Sequence, residues 1–230
     1  MRRKSLVVLG MILVLASLQS CKSKPEEGLL KSYFHAVGLN DVTTMSTMAL
    51  EPVAINAASW TITKASEEKI EPATLPDLNK NEIDLKKQFD QSSGPALDAK
   101  DVLDNAKDEF DSARTAAAKA AAKKKMDEAQ KKYDEAYAAN RDLLKKYAEA
   151  KAAAQKEEDI TSFSLNAGQL PTIRDFKGNV HSKAVEVQVK SKDGGLKNYR
   201  ISIRKYELKD EAANINRRGR WIIEKFELLQ

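Results

Sequence analysis

Leu29, Leu30, Tyr33, Phe34 and Val37 recur at spacings of three and four, the period of one helical face. Ser23-Lys24-Pro25-Glu26 before them reads as a capping box, with proline in the first turn where its missing N–H costs nothing. Gly38 is the expected stop. Val42, Met45 and Met48 outline a second short helix, ended by Pro52. Residues 53–64 read as extended, with Trp60 and Ile62 on one side.

The middle of the chain changes character. Residues 96–157 contain no glycine or proline and are dominated by Ala, Lys, Asp and Glu. One heptad run holds Ala99, Leu103, Ala106, Phe110, Ala113, Ala117 and Ala120. A second holds Met126, Ala129, Tyr133, Ala136, Asn140, Leu143, Tyr147, Ala150 and Ala154. The phase slips between Ala120 and Met126. Either one helix about 90 Å long carries a stutter, or the chain turns at residues 123–125, with Asp127 capping the return. Two alanine-rich seams of similar length gain by covering each other, so the antiparallel hairpin is the preferred reading.

Alternation of period two follows. Phe163 and Leu165 alternate with serines, and Val185, Val187 and Val189 with Glu186 and Gln188. Asp193-Gly194-Gly195 is a hairpin-type turn. Tyr199, Ile201 and Ile203 form the next set, and Tyr206 and Leu208 change parity, which predicts a bulge near Arg204-Lys205. Arg218-Gly219 precedes a last strand over 221–228. The predicted class is therefore α+β: helices packed on a curved antiparallel sheet, interrupted by a long alanine-rich helical hairpin or coiled-coil insertion. The boundaries are a signal segment at 1–20, the first part of the α+β domain with its connector at 21–95, the insertion at 96–157, and the completing strands at 158–230.

The front of the chain supplies a location. Arg2, Arg3 and Lys4 precede an apolar run from Leu6 to Leu18 of 13 residues, too short to cross a bilayer. Leu18-Gln19-Ser20-Cys21 follows and contains the chain's only cysteine. This stretch resembles the lipobox of bacterial lipoproteins, with Gln19 bulkier than that family's usual residue. The resemblance implies that Cys21 is the lipid attachment site, carrying thioether-linked diacylglyceryl (and, with acylation, palmitate) after cleavage before it. Its thiol is the one side chain nucleophilic enough for that step, and two or more acyl chains give stable anchoring. Lys22, not aspartate, after the cysteine implies an outer-membrane location facing the periplasm. Losing Arg2, Arg3 and Lys4 lowers the formal +5 to about +2, so the overall charge is no sign of a nucleic-acid partner.

A second resemblance rests on weaker motifs in order. Tyr33-Phe34-His35-Ala36-Val37-Gly38-Leu39-Asn40-Asp41 resembles the opening of small bacterial lipoproteins with the nuclear transport factor-like (cystatin-like) fold. Residues 184–189 resemble their central strand, and Trp221-Ile222-Ile223-Glu224-Lys225-Phe226 their closing strand. The resemblance implies a cone-shaped α+β domain that hosts enzymes, binders and subunit-joining modules alike.

Candidate chemistry is sparse. His35 and His181 are the two histidines; His35 lies on or beside the helix face with Phe34. With Cys21 lipidated no thiol nucleophile remains, and no metal-ligand spacing or phosphate loop is evident. Glu26-Glu27 and Glu67-Glu68 read as solvated charge. Arg217, Arg218 and Arg220 flank Trp221 and read as a solvated hairpin tip, with contact to anionic headgroups as the alternative. The sequence therefore points to a non-enzymatic, lipid-anchored envelope protein that binds or scaffolds at the membrane surface, with no cofactor. Its partners are the membrane, through the N-terminal lipid, and a protein, through the helical arm. The alternative is a small-molecule binder or enzyme that uses the cone's pocket.

Overall fold

The structure, a computed structural model, describes residues 24–168 and 170–229. The predicted signal segment and Cys21 lie outside the described residues, as does Ser23. The elements are α1 (Pro25–Gly38), α2 (Val42–Ser46), β1 (Ala57–Ala65), β2 (Lys69–Pro72), α3 (Leu75–Ser112) and α4 (Ala116–Leu165). A 3-10 turn (Ile173–Asp175) precedes β3 (Lys177–Ser191), β4 (Leu196–Asp210), β5 (Ile215–Arg218) and β6 (Ile222–Leu229). This is the predicted α+β class, with one antiparallel sheet and a long helical pair. The chain divides into two compact units. One takes residues up to Glu71 with Val180–Glu207 and the chain from Gly219. The other takes Pro72–Asn179 and Leu208–Arg218.

In the first unit β1 lies antiparallel to β3, with Trp60 opposite Val189 and Ile62 opposite Val187. β4 lies antiparallel to β6, with Ile201 opposite Phe226 and Ile203 opposite Ile223. Alternation puts Val185, Val187, Val189, Ile201 and Ile203 on one face, where they bury Leu30, Tyr33 and Val37 of α1. The change of buried parity on β4 falls across Arg204-Lys205, as the sequence indicates. The register shift against β6 sits between Ser202 and Ile203. Two expectations shift. Gly38 is the last helical residue, and Asn40 takes the left-handed conformation (φ 54°) instead. β1 begins at Ala57, not at 53, because Val53 has another role: its N–H donates to the Tyr33 hydroxyl at 2.8 Å, and that hydroxyl donates back to the Val53 carbonyl at 3.2 Å. Burial pushes the Tyr33 phenol above its usual range.

The second unit contains the antiparallel hairpin, with different bounds. α3 starts at Leu75, so Gly94 and Pro95 lie inside it and do not mark a boundary at 96. Pro95 removes one intrahelical hydrogen bond, but the seam outweighs it. Every position spaced three and four from Leu75 to Ala113 is withdrawn from solvent, Leu78, Leu85 and Phe89 included. The turn is Ala113–Thr115, not 123–125. Ala113 and Thr115 take extended φ/ψ, which needs no glycine, and the Thr115 hydroxyl caps the Ala118 N–H at 3.2 Å. Asp127 is interior. Ala117 and Ala120 therefore belong to the return helix and are exposed, while Ala122 opens the second seam; this accounts for the phase slip. The strand expected at Phe163 and Leu165 is helix. α4 runs through Leu165, burying Ile160, Thr161 and Ser164 before Asn166 (φ 49°) stops it.

Candidate functional site

The first unit's interior is the place to look for the pocket that the cone resemblance implies. It is filled. The Tyr33 ring lies 5.1 Å from that of Phe226, and Phe34 stacks on Trp60 at 4.8 Å. Tyr199 packs on the same aliphatic core. An open groove of about 590 Å³ lies beside α1 and the start of β1. Phe34 and Trp60 line it with Lys31 and His35. His35 is exposed and has no resolved partner among the described residues.

His181 is different. It is nearly buried, with Nδ1 at 2.5 Å from Glu68 Oε1 and Nε2 at 3.7 Å from Glu207 Oε2. The Trp221 ring meets it edge-on at 6.5 Å, and Lys205 Nζ sits 5.6 Å above that same indole. Glu68 is thus not free surface charge, as its pairing with Glu67 suggested: β2 carries its neighbours beside β3. Among the described residues no group of three or more His, Cys, Asp or Glu is placed to hold a metal ion.

Glu26 is the larger surprise. It is 2% exposed and accepts a hydrogen bond from Lys183 Nζ at 2.7 Å. α1's N-cap is Lys24, without a side-chain cap bond, so Glu26 serves the sheet and not a capping box. Nothing in local spacing marks this pair, because its partners are 157 residues apart. Of the arginine cluster, Arg217 lies over the Phe176 ring at 5.5 Å, within the second unit.

The hairpin has the more distinctive surface. Its seam is thin: Leu103, Ala106 and Ala129 form its buried cluster, backed by Met126 and Tyr133. Polar contacts fix its register. Lys125 meets Glu109 at 2.9 Å, Phe89 stacks with Tyr147 at 6.4 Å, and Asn140 donates to Ser92 Oγ (2.9 Å) and Ser93 Oγ (3.2 Å). An asparagine at a seam position specifies alignment at a cost in stability. Asn140→Leu is expected to raise the stability of the helical pair by about 1 kcal/mol; a helical melt followed at 222 nm that moved down instead would show the amide to be a net stabiliser. At the far end Arg174 holds both helices. Nε donates to Glu158 (2.7 Å), Nη1 to Glu82 (2.6 Å) and Nη2 to Gln155 (3.3 Å). These bonds hold the guanidinium above its usual range against the desolvation that opposes them. No local pattern marks this clamp, since Arg174 sits in the short 3-10 turn and its partners are far along the chain.

Among the described residues no helix is long and apolar enough to cross a membrane. Comparison of the chain with protein-family models, with curated proteins and with solved structures finds no match.

Proposed function

We propose that this chain is a lipid-anchored bacterial envelope protein, tethered through Cys21 at the outer membrane and facing the periplasm, that works as a binding or scaffolding module. The hairpin is its docking arm. One observation carries the non-enzymatic part of this reading: the concavity that would hold a substrate is packed with Tyr33, Phe34, Trp60 and Phe226. The attachment rests on the residues before Cys21 and on the chemistry of its thiol. Three residues separate Cys21 from Pro25, the start of α1, so the linker reaches at most about 14 Å and keeps the first unit close to the lipid surface. Labelled palmitate is expected to enter the wild-type protein and to be lost on Cys21→Ser. Unchanged labelling of the serine variant would overturn the anchoring.

A further inference from the structure

α1 leaves one face uncovered. From its N-cap to its C-cap, Lys24, Gly28, Lys31, His35 and Leu39 follow one another at spacings of three and four, and all five are exposed. The opposite face puts Glu26, Leu30, Tyr33 and Val37 in the core. Leu39 is 66% accessible, the highest value for a large hydrophobic among the described residues, and Val42 just beyond it is 59% accessible. The groove described above and a second concavity of about 410 Å³ lie between α1 and β1. Four lysines line the two, Lys24, Lys31, Lys64 and Lys183, against Glu26 and Glu27. Lys183 neutralises Glu26, and Glu27 lies 3.5 Å from Lys24, so the excess of two positive charges falls on Lys31 and Lys64. Asp41, close to Leu39, turns its carboxylate into the cap of α2, where it accepts from the Thr44 N–H at 3.0 Å. Glu67, the next acid, lies past the end of β1.

Tether length selects the occupant. Cys21 stands at most about 14 Å before Pro25. A lipid on Cys21 therefore brings the start of this face to the bilayer. α1 has 14 residues and so extends about 21 Å. Laid flat from its tethered end, it sets Lys24 and Lys31 among the headgroups, and carries Leu39 and Val42 to a point about 20 Å further on. Lysines over anionic headgroups and apolar side chains at the acyl boundary are the two contacts a surface-lying helix makes. Standing on end, the same helix would leave the most exposed leucine of the protein in water and would draw nothing from Lys31. We infer that the uncovered face of α1, with Lys64 beside it, lies on an anionic phospholipid surface. It is a second contact, and it fixes how the first unit sits on its anchor. This deepens the anchoring at Cys21 and rests on it.

A thioether-linked Cys21 has no free thiol, so one introduced cysteine can be labelled alone. The test places a fluorophore at Ser32→Cys in the full-length lipidated protein. Vesicles of phosphatidylethanolamine and phosphatidylglycerol carry a nitroxide-headgroup lipid as quencher. The control label is at Gln188→Cys, which alternates with Val187 and Val189 and so faces away from α1. Quenching at Ser32 should exceed that at Gln188 by about threefold. Lys24→Glu with Lys31→Glu should abolish the difference while the helical circular dichroism stays, and so should Leu39→Asp. The inference falls if the two labels are quenched equally, or if the charge-reversed variant keeps the difference. It also falls if the difference persists when phosphatidylcholine replaces phosphatidylglycerol, or if photocrosslinking from Ser32 in intact cells captures protein and no lipid. Flotation of the unlabelled protein with the vesicles reads the anchor separately. Without flotation the attachment at Cys21 fails and takes this contact with it; flotation with equal quenching removes the contact alone.

Discussion

Lys183→Ala is expected to cost the first unit about 3–5 kcal/mol, the range for removing one partner of a buried ion pair. Glu26 is 2% exposed and Lys183 is 11% exposed at the side chain, so the carboxylate left behind is largely screened from water. Exposed pairs such as Lys24–Glu27 are worth far less. The cost belongs to the orphaned charge and not to the bond. Glu26→Leu combined with Lys183→Met should therefore recover most of the stability, because well-packed apolar replacements of buried pairs are neutral or better. Both tryptophans, Trp60 and Trp221, lie in the first unit, so indole fluorescence in a urea titration reads that unit alone. A single variant that unfolds at the wild-type midpoint would show that water reaches Glu26. A double variant no better than Lys183→Ala would show that the pair itself organises the packing.

Arg174→Ala is the second large effect, at about 2–3 kcal/mol in the other unit, below the fully buried range because the guanidinium side chain is a quarter exposed. Removing it leaves Glu82, on the first helix of the pair, and Glu158, on the second, without their shared cation. The hairpin should fray from this end toward Asn140, since alanine seams contribute little burial to resist it. Hydrogen exchange is the direct measurement. Amides near residues 78–85 and 155–162 should lose protection, while those around Leu103 and Ala129 keep it. Uniform loss along both helices would mean that the pair unfolds as one block. Arg174→Lys should restore only part, because an ammonium cannot reach three acceptors in a plane.

What the sequence made legible was periodic. Every position of the second heptad run, Met126 to Ala154, is withdrawn from solvent on α4. The alternations at Val185–Val189 and Tyr199–Ile203 lie in paired strands. Where the reading failed, a local signal was outweighed by packing or was never needed. Gly94-Pro95 resembles a boundary, but six seam positions lie on either side of it, from Leu75 to Ser92 and from Ala96 to Ala113, so the helix absorbs it. The turn at Ala113–Thr115 carries no sequence signal because extended residues demand no special side chain. The alternation at Phe163 and Leu165 spans too few residues to tell strand from helix. The long-range polar pairs, Glu26–Lys183, Glu68–His181 and Arg174 with its carboxylates, have no signature along the chain at all, since each joins segments brought together only by the fold.

The hairpin also settles a problem of order in assembly. β1 and β3 must pair across a large gap, Ala65 with Val185, 120 positions apart. Closing a flexible loop of that length is entropically slow and unfavourable. α3 and α4 form through contacts that start at a three-residue turn and propagate outward, and their far ends finish side by side, where the Ala73 N–H bonds the Gly178 carbonyl at 2.9 Å. Once that has happened, the gap between the two strands is equivalent to a loop of about fifteen residues, which removes about 2 kcal/mol of closure entropy. Lengthening the arm by matched heptads on both helices then leaves this effective distance unchanged, so the rate at which the sheet closes should be insensitive to arm length but sensitive to any slip in its register.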